Sequence, residues 1–123
     1  MEYQATAKYI RMSTRKIRLV ADALRQLTPE TALAQLANMP KRAAVPLGDV
    51  IRSAMANAKQ KNANESTLRF LTIEVMGGPV MKRWRAVSRG MAHGYKKRMT
   101  HIRVILTDEG KHNETKELRK GDV

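Results

Sequence analysis

A chain of 123 residues supports one domain, and its 24 Lys and Arg against 11 Asp and Glu leave a formal charge of +13. A hydrophobic content of 42% is enough for one modest core and excludes full disorder. No apolar run approaches the roughly 18–20 residues of a membrane span, Met1-Glu2-Tyr3-Gln4 lacks a secretory h-region, and zero cysteines exclude disulfides, Cys-ligated zinc and thiol nucleophiles.

Residues 3–10 alternate small or aromatic with polar positions, which predicts a short half-buried strand. Ser13 stands where its hydroxyl would cap a helix whose apolar face is Ile17, Val20, Ala21, Leu24 and Leu27. Asp22 lies near Arg18 and Arg25, a spacing that favours an ion pair within the helix. Thr28-Pro29-Glu30 starts a second helix, with Thr as cap, Pro at the first position and Glu against the dipole. That helix carries Ala32, Leu33 and Leu36 and ends before Pro40.

A third helix is expected from about Pro40 to Asn62, with Ala44, Leu47, Ile51, Ala54, Met55 and Ala58 as its buried stripe. Pro46 then implies a bend, or a start near Val45. From Leu68 the period changes to two, with Leu71, Ile73 and Val75 facing the core. Ile102, Val104 and Leu106 repeat the pattern, with His101, Arg103 and Thr107 opposite. The fold class is α+β: about three helices packed on a small three-stranded antiparallel sheet, with a long extended β-hairpin protruding from it. One domain spans 1–107, and 108–123 reads as a disordered charged tail.

Gly77-Gly78-Pro79 interrupts the strand, leaving residues 79–99 between two well-defined strands. That is long for a structureless loop. Its halves pair as a hairpin closing around Gly90 to Gly94, or it is a flexible basic loop. An isolated two-stranded hairpin is marginal in water, so an outside partner should support it.

Charge identifies that partner's chemistry. Residues 75–107 hold eight Lys or Arg and no acid, so a mixed-charge solvated face does not explain them. Lys82, Arg83, Arg85, Arg89, Lys96, Lys97 and Arg98 point to a polyanion, most simply nucleic acid. Trp84 and Tyr95 would stack on bases, or Trp84 merely covers the neighbouring stem. His93, His101 and His112 are too scattered for a metal site, and His101 reads as an exposed strand residue near phosphate. No cofactor is implied. Most of the methionines are core filler, Met91 at the tip excepted.

Four stretches extend this reading: residues 7–22 (AKYIRMSTRKIRLVAD), 53–58 (SAMANA), 78–83 (GPVMKR) and 97–102 (KRMTHI). In that order and spacing, from about Ala5 to Thr107, the chain resembles the bacterial-type large-subunit ribosomal protein twenty-two family. The resemblance implies a structural component of the large subunit that organises its RNA, supports assembly and lends its hairpin to the peptide exit tunnel. By position it assigns RNA contacts to Lys8, Arg11, Arg15, Lys16, Arg18, Lys82, Arg83, Arg85, Lys96, Lys97, Arg98 and His101, with Ser53 and Asn57 as RNA or packing residues. Arg89, Gly90, Met91, Ala92 and His93 form the tip that approaches the nascent polypeptide. Its partners are then large-subunit RNA, neighbouring ribosomal proteins and the growing peptide, on a cytoplasmic or organellar ribosome, with no membrane and no small-molecule substrate. Two departures stand out: the tip carries fewer charges than the family pattern, and Pro46 sits in the third helix.

Among rival functions, catalysis lacks a phosphate loop, paired carboxylates or a nucleophile constellation. A free-standing DNA- or RNA-binding module using the hairpin as a β-ribbon shares the charge, but predicts sequence-dependent affinity for short duplexes.

Overall fold

The structure, a computed structural model, describes residues 1–108. Strand β1 (Glu2–Ile10) leads into helices α1 (Thr14–Leu24), α2 (Pro29–Asn38) and α3 (Ala44–Gln60), followed by strands β2 (Arg69–Ala86) and β3 (Ala92–Thr107). The sheet is antiparallel in the order β1-β3-β2, so the last strand is central. The expected α+β architecture and its protruding hairpin are both present.

The helices form for the reasons their sequences suggest, with three differences. The first is that α1 ends at Leu24 and leaves Leu27, expected on its apolar face, half-buried beyond it. On α1, Ile17, Val20, Ala21 and Leu24 are buried as one face. Ser13 has extended N-cap backbone there, but its hydroxyl makes no capping bond. On α2, Thr28 Oγ1 accepts from the Thr31 N–H and Pro29 opens the helix. The third helix begins at Ala44, beside the alternative start near Val45 and not at Pro40. Pro46 therefore lies in the first turn, where a missing N–H leaves no bond unmade, and no bend is needed.

Strand register and burial correct three expectations. Phe70 opposes Leu106 and Thr72 opposes Ile105, so Leu71 is the extra residue of a bulge. The bulge shifts the alternation: Phe70, Ile73 and Val75 enter the core while Leu71 is only half-buried. Thr107, expected on the open face, is buried. Gly77-Gly78-Pro79 does not end the strand either, since β2 continues across a second bulge between Gly77 and Val80. Pro79 fits there because a bulge on an outer strand tolerates a residue without an N–H.

The core lies between the helices and one face of the sheet, with Ile17, Leu24, Leu47 and Ile51 against Ile73, Ile102, Val104 and Leu106. Each outer strand also receives a side-chain donor. Arg18 Nη2 donates to the Val75 carbonyl at 2.9 Å, and Asn57 Nδ2 donates to the Gln4 carbonyl at 2.8 Å. At the base of the hairpin, Ile10 and Gly77 both pair with Thr100, so the bulges of β1 and β2 meet at one point of β3. Thr100 is buried there and donates to the Met12 carbonyl at 2.6 Å.

Most of the tail expected to be disordered lies outside the described residues. Asp108 does not, and it is anchored: it accepts from the Tyr3 hydroxyl at 3.1 Å and from the N-terminal ammonium at 3.4 Å.

Candidate nucleic-acid interface

Beyond the bulges, Val80 to Ala86 pair with Arg98 to Ala92 in unbroken register. Seven rungs at about 3.3 Å each extend the ribbon by roughly 20–25 Å. The turn is Val87 to Met91, closed by the Val87 N–H on the Met91 carbonyl at 2.8 Å, with Arg89 and Gly90 at positive φ. The sequence suggests a turn around Gly90 to Gly94; instead Gly94 is a strand residue opposite Trp84. Of the tip residues, Arg89, Gly90 and Met91 lie in the turn, while Ala92 and His93 form the first rungs opposite Ala86 and Arg85.

Alternation sorts the side chains into two faces. Lys82, Trp84, Lys96 and Arg98 share one; Met81, Arg83, Arg85, His93, Tyr95 and Lys97 share the other. Lys82 stands directly across from Lys96, a like-charge pair that weakens a free hairpin. Both faces are thus cationic, which suits insertion between segments of a polyanion. Trp84 is 75% exposed, its ring lying 3.7 Å from where a Cβ on Gly94 would sit. The Arg85 guanidinium stacks over the Tyr95 ring at 5.1 Å.

Where the ribbon leaves the body, a cleft of about 530 Å³ opens between the stem, the start of α1 and the α2–α3 connection. Seven of its eleven lining residues are cationic and none is acidic: Arg11, Lys16, Lys41, Arg42, Lys96, Lys97 and Arg98. A second hollow of about 320 Å³ shares Arg11, Arg42, Lys97 and Arg98 with it and climbs the stem past Met81, Arg83 and Tyr95. None of these cations forms an ion pair among the described residues. The acids pair elsewhere: Asp22 with Arg25, Asp49 with Arg52, Glu65 with Lys59, and Glu74 with Arg103. Seven cations converging with no carboxylate among the described lining residues repel one another, which favours an anion between them.

Several sequence-assigned residues stand apart from this cleft. Lys8 and Arg15 are exposed on β1 and α1 without lining it. Arg18 spends a donor on Val75, and Asn57 spends its amide on Gln4. Ser53 borders a shallow hollow beside Ala5 and Pro46. His101 is half-buried rather than exposed, and its Nδ1 accepts the Tyr9 backbone N–H at 3.0 Å. Conversely, sequence reasoning misses Lys41 and Arg42. They fall in a stretch of nearly balanced charge, 28–74, and in what the sequence suggests is the start of α3; only the fold brings them to the stem.

No group of His, Asp or Glu among the described residues can hold a metal ion, and none of their helices is long and apolar enough to cross a membrane. What the fold and cleft define is a small α+β protein organised around a polycationic ribbon. Residues 5–107 match the family model of ribosomal protein L22p/L17e, and the chain belongs to that family. It is 47% identical over 110 residues to the large ribosomal subunit protein uL22 of Syntrophus aciditrophicus, covering 89% of this chain and all of that one. The protein of the same name from Desulfotalea psychrophila is 45% identical over 109 residues (88% and 99%), and that from Chloroflexus aggregans 40% over 110 (89% and 97%).

Proposed function

We propose that this chain is a structural component of the large ribosomal subunit, holding ribosomal RNA in the stem cleft and along both faces of the ribbon. The role is architectural rather than catalytic, in keeping with the family. The observation that carries the reading is the cleft, where seven cations from three parts of the fold converge with no carboxylate among its lining residues. Arg and Lys there neutralise phosphates and release counterions, a binding mode largely indifferent to sequence. A thin ribbon with basic faces threads between folded RNA segments, which present phosphates, 2′-hydroxyls and unstacked bases.

On this reading the stem joins separate RNA segments during assembly, beside neighbouring ribosomal proteins. The turn at Arg89, Gly90 and Met91, with Ala92 and His93 behind it, forms part of the tunnel wall facing the nascent polypeptide. Met91 is 63% exposed, as a wall residue would be before assembly. The protein would reside on cytoplasmic ribosomes.

Gradient sedimentation of lysate before and after a high-salt wash tests the assignment. Co-migration with the large subunit that survives the wash is expected, and release at modest salt would overturn it. A photo-crosslinker at Met91 then tests the tip: attachment to an arrested nascent chain is expected, and attachment to RNA alone would remove the tunnel-wall role.

A further inference from the structure

The cleft engages phosphates; a different residue has the geometry to engage a base. Tyr9 has φ of 60°, the left-handed region that a bulky residue seldom enters. It lies within the β1 bulge between Ala7 and Ile10. Its side chain adds nothing to the core, being 61% exposed.

The ring is nonetheless held. The Tyr9 N–H donates to His101 Nδ1 at 3.0 Å, and the two rings meet edge to face with centroids 5.0 Å apart and planes at 88°. The imidazole is braced in turn by the β2 bulge: a Cβ on Gly78 would lie 3.1 Å from His101 Cε1, so only glycine leaves the ring room without a shift. Bulges on both outer strands thus fix one aromatic ring in solvent at the foot of the ribbon. A chain reversal alone would be served better by Gly or Asn, which enter this backbone region at little cost. Strain kept at an exposed, immobilised aromatic points to a contact with something outside the chain.

Lys8 and Arg11 flank the ring in sequence, both are exposed, and Arg11 lines the cleft. We infer that Tyr9 is a stacking platform for an unpaired base of the RNA whose backbone occupies the cleft, with His101 and Gly78 as its positioning residues. This rests on the RNA-binding reading above. Stacking on a preset ring is sequence-tolerant and independent of salt, unlike the phosphate contacts beside it.

The test measures affinity for refolded large-subunit RNA over a salt series, with thermal melts of each variant. Tyr9→Gly keeps the N–H that His101 accepts and relieves the left-handed strain, so it is expected to melt at or above the wild-type temperature. It should bind roughly 5- to 100-fold more weakly with an unchanged salt slope. Tyr9→Trp should hold or improve affinity. Wild-type affinity in Tyr9→Gly, a lowered melting temperature, or a shallower salt slope would each overturn the platform. A parallel Lys41→Ala/Arg42→Ala variant separates the two claims: if it loses affinity while Tyr9→Gly does not, only the platform fails, and if neither loses affinity, both fail.

Discussion

Arg18 Nη2 donates to the Val75 carbonyl oxygen at 2.9 Å, tying the first helix to an outer strand just before the ribbon begins. The family resemblance assigns it, with Arg15 and Lys16, to RNA contacts. The fold also uses its guanidinium to engage a carbonyl of the edge strand β2.

Hydrogen bonds from charged donors contribute about 1.5–3 kcal/mol, less where water competes. Arg18→Ala is therefore expected to lower stability by about 1–2 kcal/mol, seen as a lower urea midpoint at unchanged slope. Arg15→Ala, one turn away and exposed with no ion pair among the described residues, should stay within about 0.5 kcal/mol of wild type. Equal effects of the two would contradict the structural role of Arg18.

Asp108 and Tyr3 form a pH-sensitive clasp on the β1–β3 pair. Partial burial pushes the Asp108 carboxyl upward, but the Tyr3 hydroxyl and the N-terminal ammonium outweigh it and hold the group below its ordinary 3.8. Tyr3 moves the other way, raised above its ordinary 10.0 by burial and by the neighbouring carboxylate. A depressed carboxyl contributes stability above its unfolded pKa and loses it as pH falls through the folded value. A raised phenol contributes below its unfolded pKa and loses it as pH climbs through the folded one. The stability advantage of wild type over Asp108→Asn should accordingly be level at neutral pH and shrink below about pH 4. Denaturant melts at a series of pH values check this; a difference that ignores acid would mean that the clasp carries nothing.

Lys82 and Lys96 oppose one another on the ribbon, and like charges directly opposite cost roughly 0.2–1 kcal/mol. Lys82→Glu should firm up the free hairpin, raising amide-exchange protection along 80–86 and 92–98. The same change should weaken RNA binding. Improved order together with wild-type affinity would contradict the use of this rung in binding.

The sequence makes most of the fold legible, because periodicity reports burial directly: Ile17, Val20, Ala21 and Leu24 repeat with a helix, and Ile102, Val104 and Leu106 with a strand. Bulges are where it fails. A single extra residue at Leu71 reverses the alternation, and nothing in Arg69-Phe70-Leu71-Thr72 announces which residue is extra. Gly77-Gly78-Pro79 looks like a stop for the same reason, since glycine and proline mark both turns and bulges. Of the site, the stem cations stand out as a run without acids. Lys41 and Arg42 do not, because their meaning is purely spatial: they lie far along the chain from Lys96, Lys97 and Arg98, and the cleft exists only once α1 and α3 have packed on the sheet.

Salt dependence of binding is the most direct test of the central claim, that cleft cations grip the RNA backbone. Affinity for refolded large-subunit RNA would be measured against salt for wild type and for Lys41→Ala/Arg42→Ala. Each lost phosphate contact lowers the logarithmic slope by about 0.7–0.9, so the double variant should bind more weakly with a slope shallower by roughly 1.5. An unchanged affinity and slope would mean that the RNA lies elsewhere and that the cleft is not its seat.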